Sequence, residues 1–280
     1  MPRGRWPAVP KPLIRAYHKY LGVAKTLFKA QLAWRFEIAV NMAFSVTRIL
    51  LAYLLWGAIF QGRQTVGGLT FDGMLTYYLL SAFLTQLDLS NGISGEISSR
   101  IRNGTFSKYM VIPCNIFGYF SAQTLGACAF YMIFNLIAVV AWALLFGLRL
   151  TFSVAPGPLL AAAVMCLMGL LFMMQFHALL GILTFKFQNI DVFLMIQSNL
   201  VTFATGAMIP LALLPGALVV AMRCLPFYYI TYLPTMLLMG RNVGEAGLGL
   251  LILGAWNLML LSLNPLLYRR LRTKYDGVGI

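Results

Sequence analysis

Side chains able to carry out acid–base or metal chemistry are few in this chain, and they are badly spaced for working together. The seven acids are Glu37, Asp72, Asp88, Glu96, Asp191, Glu245 and Asp276. No two of them share a helix face within one apolar run, so the paired carboxylates of general acid–base catalysis are missing. His18 and His177 are the only histidines, and no HExxH, GxSxG or His-Cys ligand spacing occurs. The cysteines Cys114, Cys128, Cys166 and Cys224 form no CxxC pair and read as small apolar residues. Met165, Cys166, Met168, Met173, Met174 and Gln175 precede His177, and soft donors suit soft metals. Only Met173 and His177 share an i, i+4 spacing, however, and methionine is common packing material. The dipeptide Gly-Lys is absent, and with it any GxxxxGK[ST] cradle for nucleotide phosphates. The expectation is a non-enzymatic chain that holds no cofactor or metal. Any ATP-driven work would need an engine on another polypeptide.

Three ionisable residues stand inside apolar runs: Arg48, Asp88 and His177. An Arg or Asp at mid-bilayer costs roughly 2.5 to 3.5 kcal/mol and therefore faces protein or water. Arg48 and Asp88 stand about ten and six residues from the same ends of their runs. The offset is about 6 Å at 1.5 Å per residue, within reach of an arginine side chain. Such a pair would be either a satisfied buried ion pair or part of a pathway lining.

The elements that must position these residues follow from composition. The chain has 280 residues, of which 60% are hydrophobic and 10% charged, with a mean hydropathy of +0.82; soluble domains carry about 25% charged residues. A soluble enzyme, a nucleic-acid-binding domain and a secreted disulfide scaffold are disfavoured together. The net charge of +14 lies between apolar runs, which points to lipid headgroups and to positively charged cytoplasmic loops rather than to nucleic acid. A span needs about 20 apolar residues, and six segments qualify: 38 to 60, 74 to 94, 116 to 146, 158 to 184, 192 to 209 and 246 to 267. Pro113, Pro156, Pro158, Pro210 and Pro215 stand at or beyond their ends, as helices require. The fold class is therefore all-α, a six-span membrane bundle. With the amino terminus inside, sixteen Lys and Arg fall on the cytoplasmic side and four outside, which places both termini in the cytoplasm.

Two further segments depart from simple spans. Residues 211 to 240 are apolar but cut by Pro215, Pro226 and Pro234 and carry Arg223. They read as a broken, re-entrant hairpin entering from the outer face, tolerated where protein or a watery cavity covers its backbone. Near the amino terminus, Leu13, Ile14, Tyr17, Tyr20, Leu21, Ala24, Leu27, Phe28 and Leu32 share one helical arc, opposite Lys11, Arg15, His18, Lys19, Lys25 and Lys29. This is an amphipathic helix for the inner membrane surface, either a topology anchor or a brace that also contacts a partner. The organisation is thus an amino-terminal segment 1–37, a transmembrane domain 38–268 and a basic tail 269–280.

The loop from 95 to 113, GEISSRIRNGTFSKYMVIP, combines a short helix with a reversal. Glu96 and Arg100 can pair at i, i+4, and Gly104 permits the turn. A short amphipathic helix here is either an ordinary interspan loop or a lever that docks in a groove on a soluble subunit.

Through Ile97, Ile101, Arg102, Gly104, Thr105, Lys108 and Pro113, this loop resembles the first coupling-helix region of type 2 ABC transporter permeases. Pro226, Tyr229, Pro234 and Gly240 resemble the arrangement before the last span in that family. The similarity runs over about residues 17 to 275. It implies an exporter permease of the inner (cytoplasmic) membrane that pairs with a second permease chain as homodimer or heterodimer. It also implies two soluble ABC ATPase subunits, which would bind the ATP and Mg. Carried over, Glu96, Ile97, Arg100, Ile101, Arg102, Gly104 and Thr105, within 95–107, would form the coupling helix. Lys186 and Asp191 would make a second cytoplasmic contact, and Pro215, Pro226, Tyr229 and Pro234 would belong to an outer gate. Arg48 and Asp88 match no family motif, which leaves the substrate class open.

Asn189, Gln197, Ser198, Asn199, Thr202 and Thr205 could wet a pathway along the fifth span or glue helices together. Gly244, Gly247, Gly249 and Gly254 suit close helix packing. The competing function is an ion-coupled secondary transporter with Asp88 as its proton site.

Overall fold

The computed structural model describes residues 12–33, 35–111, 115–145, 150–206 and 210–274. Over these the chain is helical, and its one β feature is an isolated bridge between Val66 and Leu69. The helices are α1 (Pro12–Gln31), α2 (Arg35–Ile59), α3 (Phe71–Leu87), α4 (Asn91–Arg102), α5 (Ser107–Val111), α6 (Ile116–Leu145), α7 (Pro156–Ile182), α8 (Thr184–Phe187), α9 (Asp191–Ala204), α10 (Gly216–Arg223), α11 (Tyr232–Leu238) and α12 (Ala246–Leu271). Short 3-10 turns fill the gaps at Leu211–Leu213, Pro226–Tyr229, Val243–Glu245 and Arg272–Lys274. Local chemistry sets several starts: the Thr70 side chain accepts from Gly73 N at 3.2 Å to cap α3, and Pro156 opens α7, where a missing N–H costs nothing.

Three of these helices are long and apolar enough to cross a membrane: Ile116–Ala141, Pro156–Phe187 and Val243–Leu271. Gly216–Arg223 and Pro226–Leu238 form a further apolar pair bent by 87°. Of the remaining expected spans, α2 with its 25 residues covers 38 to 60 almost in full, whereas the other two are shorter as helices. α9 has 14 residues, about 21 Å at 1.5 Å per residue. The apolar run expected from 74 to 94 breaks at 88–90, so that α3 ends at Leu87 and α4 begins inside the run.

Contacts fix the relative directions. α2 and α3 form an antiparallel hairpin, with Trp56 against Tyr78 and Phe60 against Phe71. α3 is antiparallel to α6 and the segment beyond it: Leu87 O accepts from Cys128 Sγ at 2.9 Å, and Thr76 Oγ1 accepts from Thr151 N at 3.2 Å. α7 and α12 run in the same direction, since Gly249 lies beside Met165 and Asn264 beside Gln175. α1 follows α6 in register, with Tyr20 at Gly118, Ala24 at Gly126 and Phe28 at Phe130. Tyr20, Ala24 and Phe28 of its apolar arc therefore lie along the first half of α6, while Lys19, Lys25 and Lys29 stay exposed.

The bundle has two apolar cores. The larger joins α3, α7, α11 and α12 around Tyr77, Phe172, Tyr228, Tyr229 and Leu233. The smaller gathers Ile93, Ile97 and Ile101 of α4 with Phe106, Phe120, Met174, Ala178 and Phe185.

Candidate functional site

The structure draws the described residues of the 95–113 loop, 95–111, into one compact elbow. Ile93, Ile97 and Ile101 recur at i, i+4 and i+8, so one stripe of α4 faces the smaller core while Gly92, Gly95 and Asn103 stay exposed. Close approach to α7 depends on Gly181: a Cβ there would fall 2.8 Å from Ile97 Cβ and 3.0 Å from its Cγ2. The Gly-Thr pair then ends the helix. Gly104 takes φ +68°, its N–H donates to Ile101 O at 3.2 Å, and Thr105 N donates to Arg100 O at 3.0 Å. This is a Schellman closure, which satisfies the last carbonyls and turns the chain back. Phe106 plugs the reversal, edge-on to Phe185 at 5.3 Å.

Electrostatics reinforce the elbow. Glu96 accepts from Arg100 at 3.4 Å and from the Tyr109 hydroxyl at 3.1 Å, and the Arg100 guanidinium lies over the Tyr109 ring at 5.8 Å. Burial, and secondarily the Glu96 carboxylate, push the Tyr109 hydroxyl up to about 12, so it remains a donor at neutral pH. Arg102 reaches Asp191 at 3.7 Å. The two cytoplasmic contact regions expected from the sequence are therefore neighbours, joined by a half-exposed ion pair worth at most about 1 kcal/mol. Lys186 lies over the Phe187 ring at 5.2 Å, and its charge stays exposed. Pro113 lies outside the described residues.

Asp88 does not stand inside a helix. It occupies the break between α3 and α4, where its Oδ1 accepts from Ser90 N at 3.1 Å and makes a short contact with the Ser90 hydroxyl. A few residues on, Ser94 Oγ of α4 lies 3.1 Å from His177 Nδ1 of α7. Because that hydroxyl already donates to Asn91 O at 2.9 Å, the imidazole is the donor to it. The side chain of Arg48 lies outside the described residues, and so does its expected pairing with Asp88. Among the described residues no cluster of three or more His, Cys, Asp or Glu could hold a metal.

At the opposite end, Pro226 and Tyr229 are buried in the 3-10 turn, Pro234 is buried in α11, and Pro215 is exposed at the head of α10. Glu245, Tyr228 and Asn242, which the sequence expectation does not include at this site, join Arg223 and Tyr229 in holding the hairpin in place. Glu245 accepts from Arg223 at 2.8 Å, Tyr228 at 2.9 Å and Asn242 at 3.0 Å, while Tyr229 donates to Arg223 O at 2.8 Å. Tyr77 donates to Gly206 O at 2.8 Å, which ties the top of α9 to α3.

A buried amide seam, also missed, joins α7 to α12. Gln175 donates to Asn257 at 2.8 Å, Asn257 donates to Met168 O at 3.1 Å, and Asn264 donates to Gln175 O at 2.9 Å. The available signal was three amides inside otherwise apolar runs. Of the four glycines expected to pack closely, Gly249 does so, since a Cβ would meet Met165 Cε at 2.6 Å. Gly254 is in ordinary contact range, and Gly244 and Gly247 face open space.

This arrangement is an all-helical apolar bundle with a Gly-closed elbow at one end and a proline-broken hairpin at the other, with helices long and apolar enough to cross a membrane. The family model of the ABC-2 family transporter protein matches residues 46–279, and the chain belongs to that family. It is a multi-pass membrane protein of an ABC transporter, a class that works with ABC ATPase partners. No curated protein and no solved structure matches the chain.

Proposed function

We propose that this chain is the permease subunit of an ATP-driven exporter in the inner membrane, with six crossings and both termini cytoplasmic. The observation that carries the reading is the elbow: α4 is keyed to α7 through Ile97 and Gly181, closed at Gly104 and bridged by Arg102 to Asp191. Force applied to its exposed rim passes into α7 without an intervening loop. Glu96, Ile97, Arg100, Ile101, Arg102, Gly104 and Thr105 form the coupling element, and Lys186 and Asp191 extend its contact with the ATPase. Two ATPase subunits bind the ATP and Mg, and this chain makes no covalent step. The antiparallel order of α2, α3 and α6 and the shared direction of α7 and α12 support the six-crossing topology, with α9 as the short fifth crossing between the last two.

The exposed side of α9 supports a second permease chain. Ser198, Asn199 and Thr202 are exposed there, and Asn199 and Thr202 donate only to carbonyls of their own helix, Met195 O at 2.9 Å and Ser198 O at 2.8 Å. Polar side chains of this kind avoid lipid and face protein or a watery path. Substrate then moves by alternating access between two such surfaces, with the hairpin of Pro215, Pro226, Tyr229 and Pro234 as the outer gate.

The test is co-purification with a soluble ABC ATPase. Arg100→Glu with Lys108→Glu reverses charge on the exposed rim and leaves the Ile stripe intact; lost association is expected, and undiminished association refutes the coupling assignment. The second reading, an ion-coupled transporter using Asp88, is favoured by the Asp88, Ser94 and His177 neighbourhood. It predicts transport driven by a pH gradient in vesicles without ATP.

A further inference from the structure

Beside the elbow, a cavity of about 340 Å³ opens between α5, the start of α6 and the end of α12. Arg269 and Arg272 line one wall together with Tyr268, and Arg272 lies over the Tyr268 ring at 5.5 Å. Met110, Ile116, Phe117 and Pro265 supply an apolar part of the lining, and Asn115 a further polar one. No carboxylate lines the cavity, and the ion pairs among the described residues all lie elsewhere, at Glu96, Asp191 and Glu245. Two arginines therefore line one space with no carboxylate partner among the described residues. Planar guanidinium forks match phosphate oxygens two at a time. Apolar lining beside the arginines fits an amphiphile better than a free ion, and basic pockets between helix ends on the cytoplasmic side hold anionic headgroups. We infer that this cavity binds the phosphate headgroup of an anionic phospholipid, with the glycerol and upper chain against Met110 and Phe117. At this volume it holds a headgroup and not two full acyl chains.

The site adjoins the coupling element through Tyr109, which lines the cavity and donates to Glu96. The inference rests on the proposed topology only for the leaflet that supplies the lipid; binding itself is measured without any ATPase, so the two readings fail separately.

The full-length chain, purified in neutral detergent, is titrated with phosphatidylglycerol or phosphatidylcholine and bound lipid is counted by native mass spectrometry. The expected result is at least about tenfold preference for the anionic lipid, the scale of hydrogen bonds to charged groups. Arg269→Gln with Arg272→Gln should bring it close to parity, whereas Arg270→Gln, on the same turn but outside the cavity, should keep it. Should the double variant misfold, Arg272→Gln alone carries the comparison with a smaller drop. An undiminished preference in these cavity variants overturns the site. Displacement of the lipid by inorganic phosphate at equal phosphate concentration overturns its assignment to a lipid.

Discussion

Gly181→Ala tests whether the elbow is keyed to α7 as described. The new Cβ would lie 2.8 Å from Ile97 Cβ, 3.0 Å from Cγ2 and 3.3 Å from Cδ1. The nearest of these atoms sits at the root of a β-branched side chain in the smaller core, so a rotamer change cannot clear it, and α4 itself must move. Overpacking of this kind costs about 1 to 3 kcal/mol. Trimming Ile97 to Val removes only Cδ1 and should not rescue; Ile97→Ala removes two of the three contacts and should recover part of the packing clash while adding its own cavity cost of about 2 to 5 kcal/mol. Gly95 on the exposed side of the same helix has nothing within 4 Å of its Cβ position, so Gly95→Ala should stabilise by about 0.5 to 1 kcal/mol through backbone entropy alone. Reversible unfolding in mixed micelles, followed by circular dichroism, reads both signs, and ATPase co-purification reads the coupling. Wild-type stability in Gly181→Ala, or destabilisation by Gly95→Ala, would refute the packing described.

The amide seam makes a second prediction: Gln175→Leu should cost about 0.6 to 1.7 kcal/mol, and the Gln175→Leu, Asn257→Leu pair should cost less than the sum of its single changes, measured in the same unfolding assay. A third concerns alkaline pH. Tyr109 is raised from its ordinary 10 to about 12, so its contribution is complete below pH 10 and is lost as pH rises through 12. Stability should fall more steeply over that window in the wild type than in Tyr109→Phe, and equal slopes would remove Tyr109 as the source.

Much of this architecture is legible in the residue order. The apolar runs between prolines give the all-helical class, and the spacing of Ile97 and Ile101 before Gly104 and Thr105 gives a helix with a reversal. The break at 88–90 is hidden because apolar residues flank it on both sides, although the run Asp-Leu-Ser-Asn-Gly has the composition of a turn. Glu245 is hidden for another reason: its partners Arg223 and Tyr228 lie 22 and 17 residues away, beyond a bend that no periodicity encodes. The amides of α7 and α12 look like isolated polar residues until the parallel course of those helices puts them side by side. Asp88 illustrates the reverse: expected inside a continuous second span, it stands where the chain bends between α3 and α4, while its expected pairing with Arg48 lies outside the described residues.

Gly126 gives the amino-terminal helix an unusual dependence on one atom's width. A methyl group there would fall 2.2 Å from Ala24 O, so main chain rests directly on main chain and α1 fits a notch cut for it. Fusions ahead of residue 12 leave that notch untouched, but truncation past Ala24 would uncover Gly126 and the surface of α6 around it. The leading helix is consequently a seal for α6, and the shortest useful version of this polypeptide must retain it.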